Sequence, residues 1–197
     1  SNTAVGLNAL FANTTADNNT AVGYAALDAN TTGSQNVAFG SNALGSNTTA
    51  NDNAAFGSGA LSNNTTGARL TAIGRGVLNA NTTASDNTGV GYFALVANTT
   101  GTANVSVGAY TLDANTTGSH NTAVGYNALN DNTTALYNTA VGTFAGQVIT
   151  TGGKNTCIGA RAAENLTTGA DNVFVGHQSG FDATGAVDNT AIGEMSL

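Results

Sequence analysis

Asn19-Thr20-Ala21-Val22-Gly23-Tyr24-Ala25-Ala26-Leu27-Asp28-Ala29-Asn30-Thr31-Thr32-Gly33-Ser34-Gln35 is a seventeen-residue unit that the rest of the chain restates. Its glycine recurs as Gly6, Gly23, Gly40, Gly57, Gly74, Gly91, Gly108, Gly125, Gly142, Gly159, Gly176 and Gly193, always seventeen residues on, with no insertion or deletion. A fixed period of this kind is the mark of stacked structural repeats, each touching only its neighbours. Paired-helix repeats need about 33–47 residues, and Gly, Asn and Thr are poor helix formers. The expected fold is all-β: a parallel β-solenoid of twelve 17-residue coils, one repeat region spanning residues 1–197. Each coil is expected to carry two short strands joined by two turns, and twelve coils stacked ~4.8 Å apart make a rod of roughly 55 Å.

The residue before the anchor glycine is Val5, Val22, Phe39, Phe56, Ile73, Val90, Val107, Val124, Val141, Ile158, Val175 or Ile192. It is never polar and mostly β-branched, which suits a strand. Thr or a small apolar residue stands two places earlier, on the same strand face by the two-residue alternation. The position between them is small in every copy except at Phe174. Four residues after the glycine stands a leucine ladder: Leu10, Leu27, Leu44, Leu61, Leu78, Leu95, Leu112 and Leu129. The Val and Leu ladders are expected to fill the coil together.

Four residues before the glycine is Asn in every copy but one, Asn19, Asn36, Asn53 and Asn121 among them, with Leu70 the departure. Stacked Asn side chains are expected to bond amide to amide along the rod. Seven after the glycine comes a second Asn series, Asn13 through Asn132, followed by a Thr series from Thr14 to Thr184. Where the leucine shrinks to Gly146 or Ala163, the Asn position becomes Ile149 or Leu166. This exchange predicts that the two positions are neighbours under one roof, as close packing requires. The freely varying positions, one, two, five and six after the glycine and five and six before it, are the expected solvent face.

Charged residues are 8% of the chain, against about 25% in ordinary soluble domains, and the net charge is -7. Nucleic acid is not an expected partner, because phosphate binding needs basic patches. No apolar run approaches the ~20 residues of a membrane span, so no membrane insertion is expected in this segment. The histidines, His120 and His177, stand more than three coils apart, and the acids are scattered over variable positions. Catalysis needs such groups at one place, so no catalytic residue, metal or cofactor is expected. Cys157 is the single cysteine and reads as a small lining residue.

Tyr24, Tyr92 and Tyr126 share the position after the anchor glycine and are candidate surface contacts for a glycan or a protein. The Asn-Thr-Thr triplets match the N-glycosylation sequon, but their regular spacing points to structural asparagines. The Thr ladders raise ice binding as the alternative function. Against it, paired Thr such as Thr31 and Thr32 are adjacent and so point to opposite faces of a strand.

Asn121-Thr122-Ala123-Val124-Gly125-Tyr126-Asn127-Ala128-Leu129 resembles the head repeats of YadA-type trimeric autotransporter adhesins and the repeats of bacteriophage tail-fibre-like proteins. The likeness runs the whole length of the chain. It implies a left-handed parallel β-roll, three chains about a common axis, and an extracellular adhesive or receptor-binding fibre on a cell surface or virion. The few sizeable aliphatics per coil also favour sharing a core with further copies, an oligomeric rod, and the resemblance makes that rod a homotrimer. The chain starts and stops in mid-repeat, which suggests a piece of a longer fibre. The expected function is a non-enzymatic structural and adhesive segment that presents multivalent contacts to a host-cell surface, glycan or matrix ligand.

Overall fold

The computed structural model describes residues 1–197. It is a β-solenoid without helix, built on one sheet of twelve three-residue strands. They are β1 (Thr3–Val5), β2 (Thr20–Val22), β3 (Val37–Phe39), β4 (Ala54–Phe56), β5 (Thr71–Ile73), β6 (Thr88–Val90), β7 (Val105–Val107), β8 (Thr122–Val124), β9 (Thr139–Val141), β10 (Thr156–Ile158), β11 (Val173–Val175) and β12 (Thr190–Ile192). The strands pair in parallel, in chain order, and in strict register: Thr3 faces Thr20, Ala4 faces Ala21, Val5 faces Val22.

Each coil has one strand, not the expected two. The wall opposite the sheet is a run of turns in which residues two and four after the anchor glycine take positive φ. The ladder leucines Leu10 to Leu129 sit there at +50° to +54°. That conformation is unfavourable for a bulky L-residue, and it breaks any extended run. Backbone pairing between coils nevertheless continues along this wall: Ala25 N–H donates to the Leu7 carbonyl at 2.9 Å and Leu27 N–H to that of Ala43 at 3.1 Å. Of 126 backbone hydrogen bonds, 104 lie outside the strands, so the turn walls hold the stack as much as the sheet does.

The anchor glycines have φ between +128° and +141°. A Cβ on Gly23 would stand 2.6 Å from the carbonyl carbon and oxygen of Gly40. Glycine is therefore required twice, for its own backbone angle and for the closeness of the next coil.

The interior corrects the expected filling. Leu27, Leu44, Leu61, Leu78, Leu95, Leu112 and Leu129 are wholly buried, as expected. The ladder Val5, Val22, Phe39, Phe56, Ile73, Val90, Val107, Val124, Val141, Ile158, Val175 and Ile192 points outward instead. None of its members is buried, and Phe39 is 55% exposed. The inward position is the small one between, Ala21 and its equivalents, because strand side chains alternate. Leu27 and Ala26 reach across from the turn wall and leave room for little more than a methyl. Position three after the glycine (Ala26, Ala43, Ala60, Val77) is a second interior ladder that the sequence pattern did not single out.

Departures from the small size are compensated across the coil. Val77 replaces Ala where Gly89 takes the facing strand position, and a Cβ on Gly89 would lie 2.5 Å from Val77 Cγ1. Ser106 and Thr111 enter together, their hydroxyls bonded to each other and Thr111 Oγ1 donating to the Gly108 carbonyl at 2.9 Å. Ile149 fills the space over Gly146, where a Cβ would meet its Cδ1 at 2.9 Å. Phe174 turns its ring to Gly180, whose Cβ would lie 2.6 Å from it. Cys157 lines the same interior, and burial pushes its thiol up to about 12.

Two asparagine ladders, one broken at Leu70 and the other ending at Asn132, run along the stack beside a threonine ladder. Asn36 N–H donates to Asn19 Oδ1 at 2.9 Å, while Asn36 Nδ2 donates to the Ala50 carbonyl at 2.8 Å. The ladder of Asn19, Asn36, Asn53 and Asn121 is thus anchored chiefly on backbone rather than amide to amide. In the other series the amides divide between the two, as Asn47 Nδ2 donates to Asn30 Oδ1 at 2.8 Å and to the Ala50 carbonyl at 3.1 Å. That series stops at Ile149 and leaves Asn132 Oδ1 buried without a partner. Thr31 Oγ1 donates to the Thr48 carbonyl at 3.0 Å, and the pattern runs on to Thr167 and Thr184. The sequon asparagines Asn30 to Asn132 are fully buried, their amides held in the ladder.

The compensation predicts a rescue. Gly180→Leu overpacks against Phe174 and lowers stability by about 1–3 kcal/mol. Adding Phe174→Ala, which recreates the Ala21 and Leu27 pairing, recovers at least half of that loss in urea denaturation. Additive losses would contradict the shared space.

Candidate functional site

The side chains that do not repeat gather on the outer surface of the turn wall. Position one after the anchor glycine holds Tyr92 and Tyr126, and position two holds Phe93, Tyr110 and Phe144. Neighbouring coils bring these rings into one ridge. Tyr92 and Tyr110 have centroids 5.4 Å apart at 78°, Tyr110 and Tyr126 6.2 Å at 88°, and Tyr126 and Phe144 5.6 Å at 83°. Edge-to-face contact is the favoured geometry for aromatic pairs, negative face to positive edge.

The ridge joins Tyr92 to Tyr126, two of the three tyrosines singled out from the sequence, and leaves Tyr24 four coils away. Tyr110, Phe93 and Phe144 escape a position-by-position reading because they stand one residue later in the repeat. Only the stacking of coils makes positions one and two a single surface.

Each end of the ridge carries an arginine. The Arg75 guanidinium lies 5.9 Å from the Tyr92 ring centre and 5.6 Å from that of Phe93, and Nη1 donates to the Tyr92 hydroxyl at 3.3 Å. Arg161 lies 6.0 Å from Phe144 but is drawn to Glu164, 3.3 Å away. Arg69 pairs with Asp86 and Lys154 with Asp171, so Arg75 alone among the four cations has no acidic partner.

Backbone geometry sets the ridge. Phe93, Tyr110 and Phe144 occupy position two with φ of +54°, +56° and +59°. Every coil takes positive φ at that position, and Asn8, Asn42 and Gly59 reach it at less cost than Ala25, Arg161 or Gln178. Asn130 Nδ2 donates to the Tyr110 carbonyl at 3.0 Å and fixes this turn. The Phe93 ring lies over Gly76, where a side chain would collide with it.

Beside the ridge, over the preceding coils, the same wall sinks into an open groove of about 420 Å³. It is lined by Asp28, Asn42, Gly45, Ser46, Ser58, Gly59, Ser62, Asn63 and Asn79, with no hydrophobic residue. Asn79 Nδ2 bridges the Gly59 carbonyl at 3.1 Å and Ser62 Oγ at 2.7 Å. Asn63 Nδ2 donates to the Asn79 carbonyl at 3.0 Å. Near Tyr110, burial and then the charge of Asp131 raise the carboxyl of Asp113 above its ordinary range.

No three His, Cys, Asp or Glu side chains converge on one point, and no helix is long and apolar enough to cross a membrane. His120 stacks on Tyr137 at 5.0 Å, and His177 lies beside Glu194 on a different coil. Comparison with protein-family models, with curated proteins and with solved structures finds no match to this chain.

If the ridge is an addition to the scaffold, removing it leaves the fold intact. Tyr110→Asn, which restores the residue of coils one and three, changes unfolding free energy by less than about 1 kcal/mol. A loss of several kcal/mol in thermal or urea denaturation would make Tyr110 a core residue of the rod.

Proposed function

We propose that this chain is a non-enzymatic structural and adhesive segment of an extracellular fibre, of the adhesin or phage-type receptor-binding kind, in which three copies associate along a common axis. The observation that carries the reading is the outward ladder of Val, Ile and Phe on the sheet. It is an uninterrupted apolar strip along one face of the rod, with Ile73 and Ile158 at 42% and 40% exposure. An apolar surface of that continuity is the usual sign of a protein interface. Phe39 and Phe56 stack on this strip with centroids 6.4 Å apart and give it a raised point to key into a neighbour. The strip is roughly 50 Å by 10 Å, which is below the ~800 Å² per partner of a stable interface. Meeting two neighbours about an axis brings the flanking walls into the seam. A stiff rod of this kind holds contacts at fixed spacing, and avidity multiplies weak ones.

Ice binding is the second reading, and the same face favours it. Thr20, Thr71, Thr88, Thr122, Thr139 and Thr156 share the outer face of the sheet with the aliphatic ladder. A further row, Thr15 to Thr168, is exposed along one corner. Regular Thr rows on a flat surface suit an ordered water layer. Phe39 and Phe56 stand proud of it and weigh against this reading.

The readings compete for one surface, and sedimentation equilibrium separates them. The fibre reading expects three times the 19.3 kDa chain mass, and dissociation when Val124→Lys and Val141→Lys place charges on the strip. A folded monomer overturns it. A folded monomer that also shows thermal hysteresis establishes ice binding instead.

A further inference from the structure

We propose that the turn wall is a binding strip for an extended, uncharged oligosaccharide, stacked on the ridge of Tyr92, Tyr110, Tyr126 and Phe144 and continuing into the Asn and Ser groove beside it. The inference deepens the reading of the rod as a contact-presenting fibre, and it concerns the wall opposite the strip assigned to association.

Four observations converge on this occupant. The ridge supplies a ring on each of four successive coils, at 5.4 to 6.2 Å between neighbours. A ligand lying along the rod meets a new ring at every coil, which suits a linear chain of rings and not a compact molecule. The C–H faces of a sugar ring are apolar and pack on aromatic faces and edges, while its hydroxyls need partners. The groove supplies those partners from side-chain amides, hydroxyls and the Asp28 carboxylate, with no apolar lining.

Charge narrows the class. Arg75 is the one cation on this wall free of an acidic partner, and Asp28, Asp113 and Asp131 face the same side. A strongly anionic polymer would meet net negative charge, so a neutral chain fits best. The groove is also preorganised. Asn63, Asn79 and Ser62 hold one another in place, so little side-chain freedom is lost on binding.

The test uses the full chain and three soluble probes, cellohexaose, chitohexaose and maltohexaose, titrated calorimetrically with tyrosine fluorescence recorded in parallel. At least one probe is expected to bind and change the tyrosine emission. Tyr110→Asn and Tyr126→Ser each weaken that binding about tenfold, and Asn79→Leu weakens it through the groove. Tyr24→Ala, outside the strip, leaves it unchanged. Failure of all three probes overturns the proposal, as does binding that survives loss of Tyr110 and Tyr126 together. Sedimentation of the same samples keeps the two readings apart. A monomer that binds refutes the trimeric fibre alone, and a trimer that binds nothing refutes the oligosaccharide strip alone.

Discussion

The approach of one coil to the next at the anchor glycine sets the terms for everything else. With Gly23 so near the Gly40 carbonyl that no Cβ fits, the coils stack as closely as parallel strands permit. That spacing admits a single register, and every ladder depends on it. The Asn19 and Asn36 bond, the Thr31 and Thr48 bond and the Leu27 and Leu44 contact all repeat only if each coil has the same length. An inserted residue would turn every following side chain to the wrong face.

Inside that frame the core is thin, and polar ladders replace part of the usual apolar bulk. Asparagines buried at 0–1% exposure would be costly alone. Here each one is bonded to the coils above and below, so the cost is met along the whole stack. Exceptions show how tightly this holds. Leu70 accepts nothing from the next coil, and the Asn87 N–H loses its ladder partner there. The +7 series ends on an unpaired Asn132 Oδ1 where Ile149 begins a more apolar section.

The period, the β class and the Leu, Asn and Thr ladders were all legible in the residues. So was the trade between Gly146 and Ile149. Two features were not. The outward turn of Val22 was hidden because an apolar, β-branched position suits either face of a strand. The uniform smallness of Ala21 was the better signal, since only a crowded interior forbids larger residues. The turn wall was hidden because its left-handed leucines, Leu27 among them, carry no local sequence signature. The aromatic ridge was half legible: Tyr92 and Tyr126 share a repeat position, but Tyr110 and Phe144 join them only through the stacking of positions one and two.

The molecule thus divides its work by face. The interior and the ladders are scaffold and accept only compensated change. The outer face of the sheet carries the apolar strip to which we assign association, and the turn wall carries residues that differ from coil to coil. The central claim is that seventeen-residue register, not any particular coil, is what folds. It is tested most directly by comparing two deletions. Removing residues 41–57 takes out one full coil and leaves Ser58 following Gly40 in phase. Removing residues 42–57 leaves the chain one residue out of phase. Circular dichroism and urea denaturation should show a folded, slightly less stable rod for the first and loss of cooperative structure for the second. Equal behaviour of the two would contradict the account.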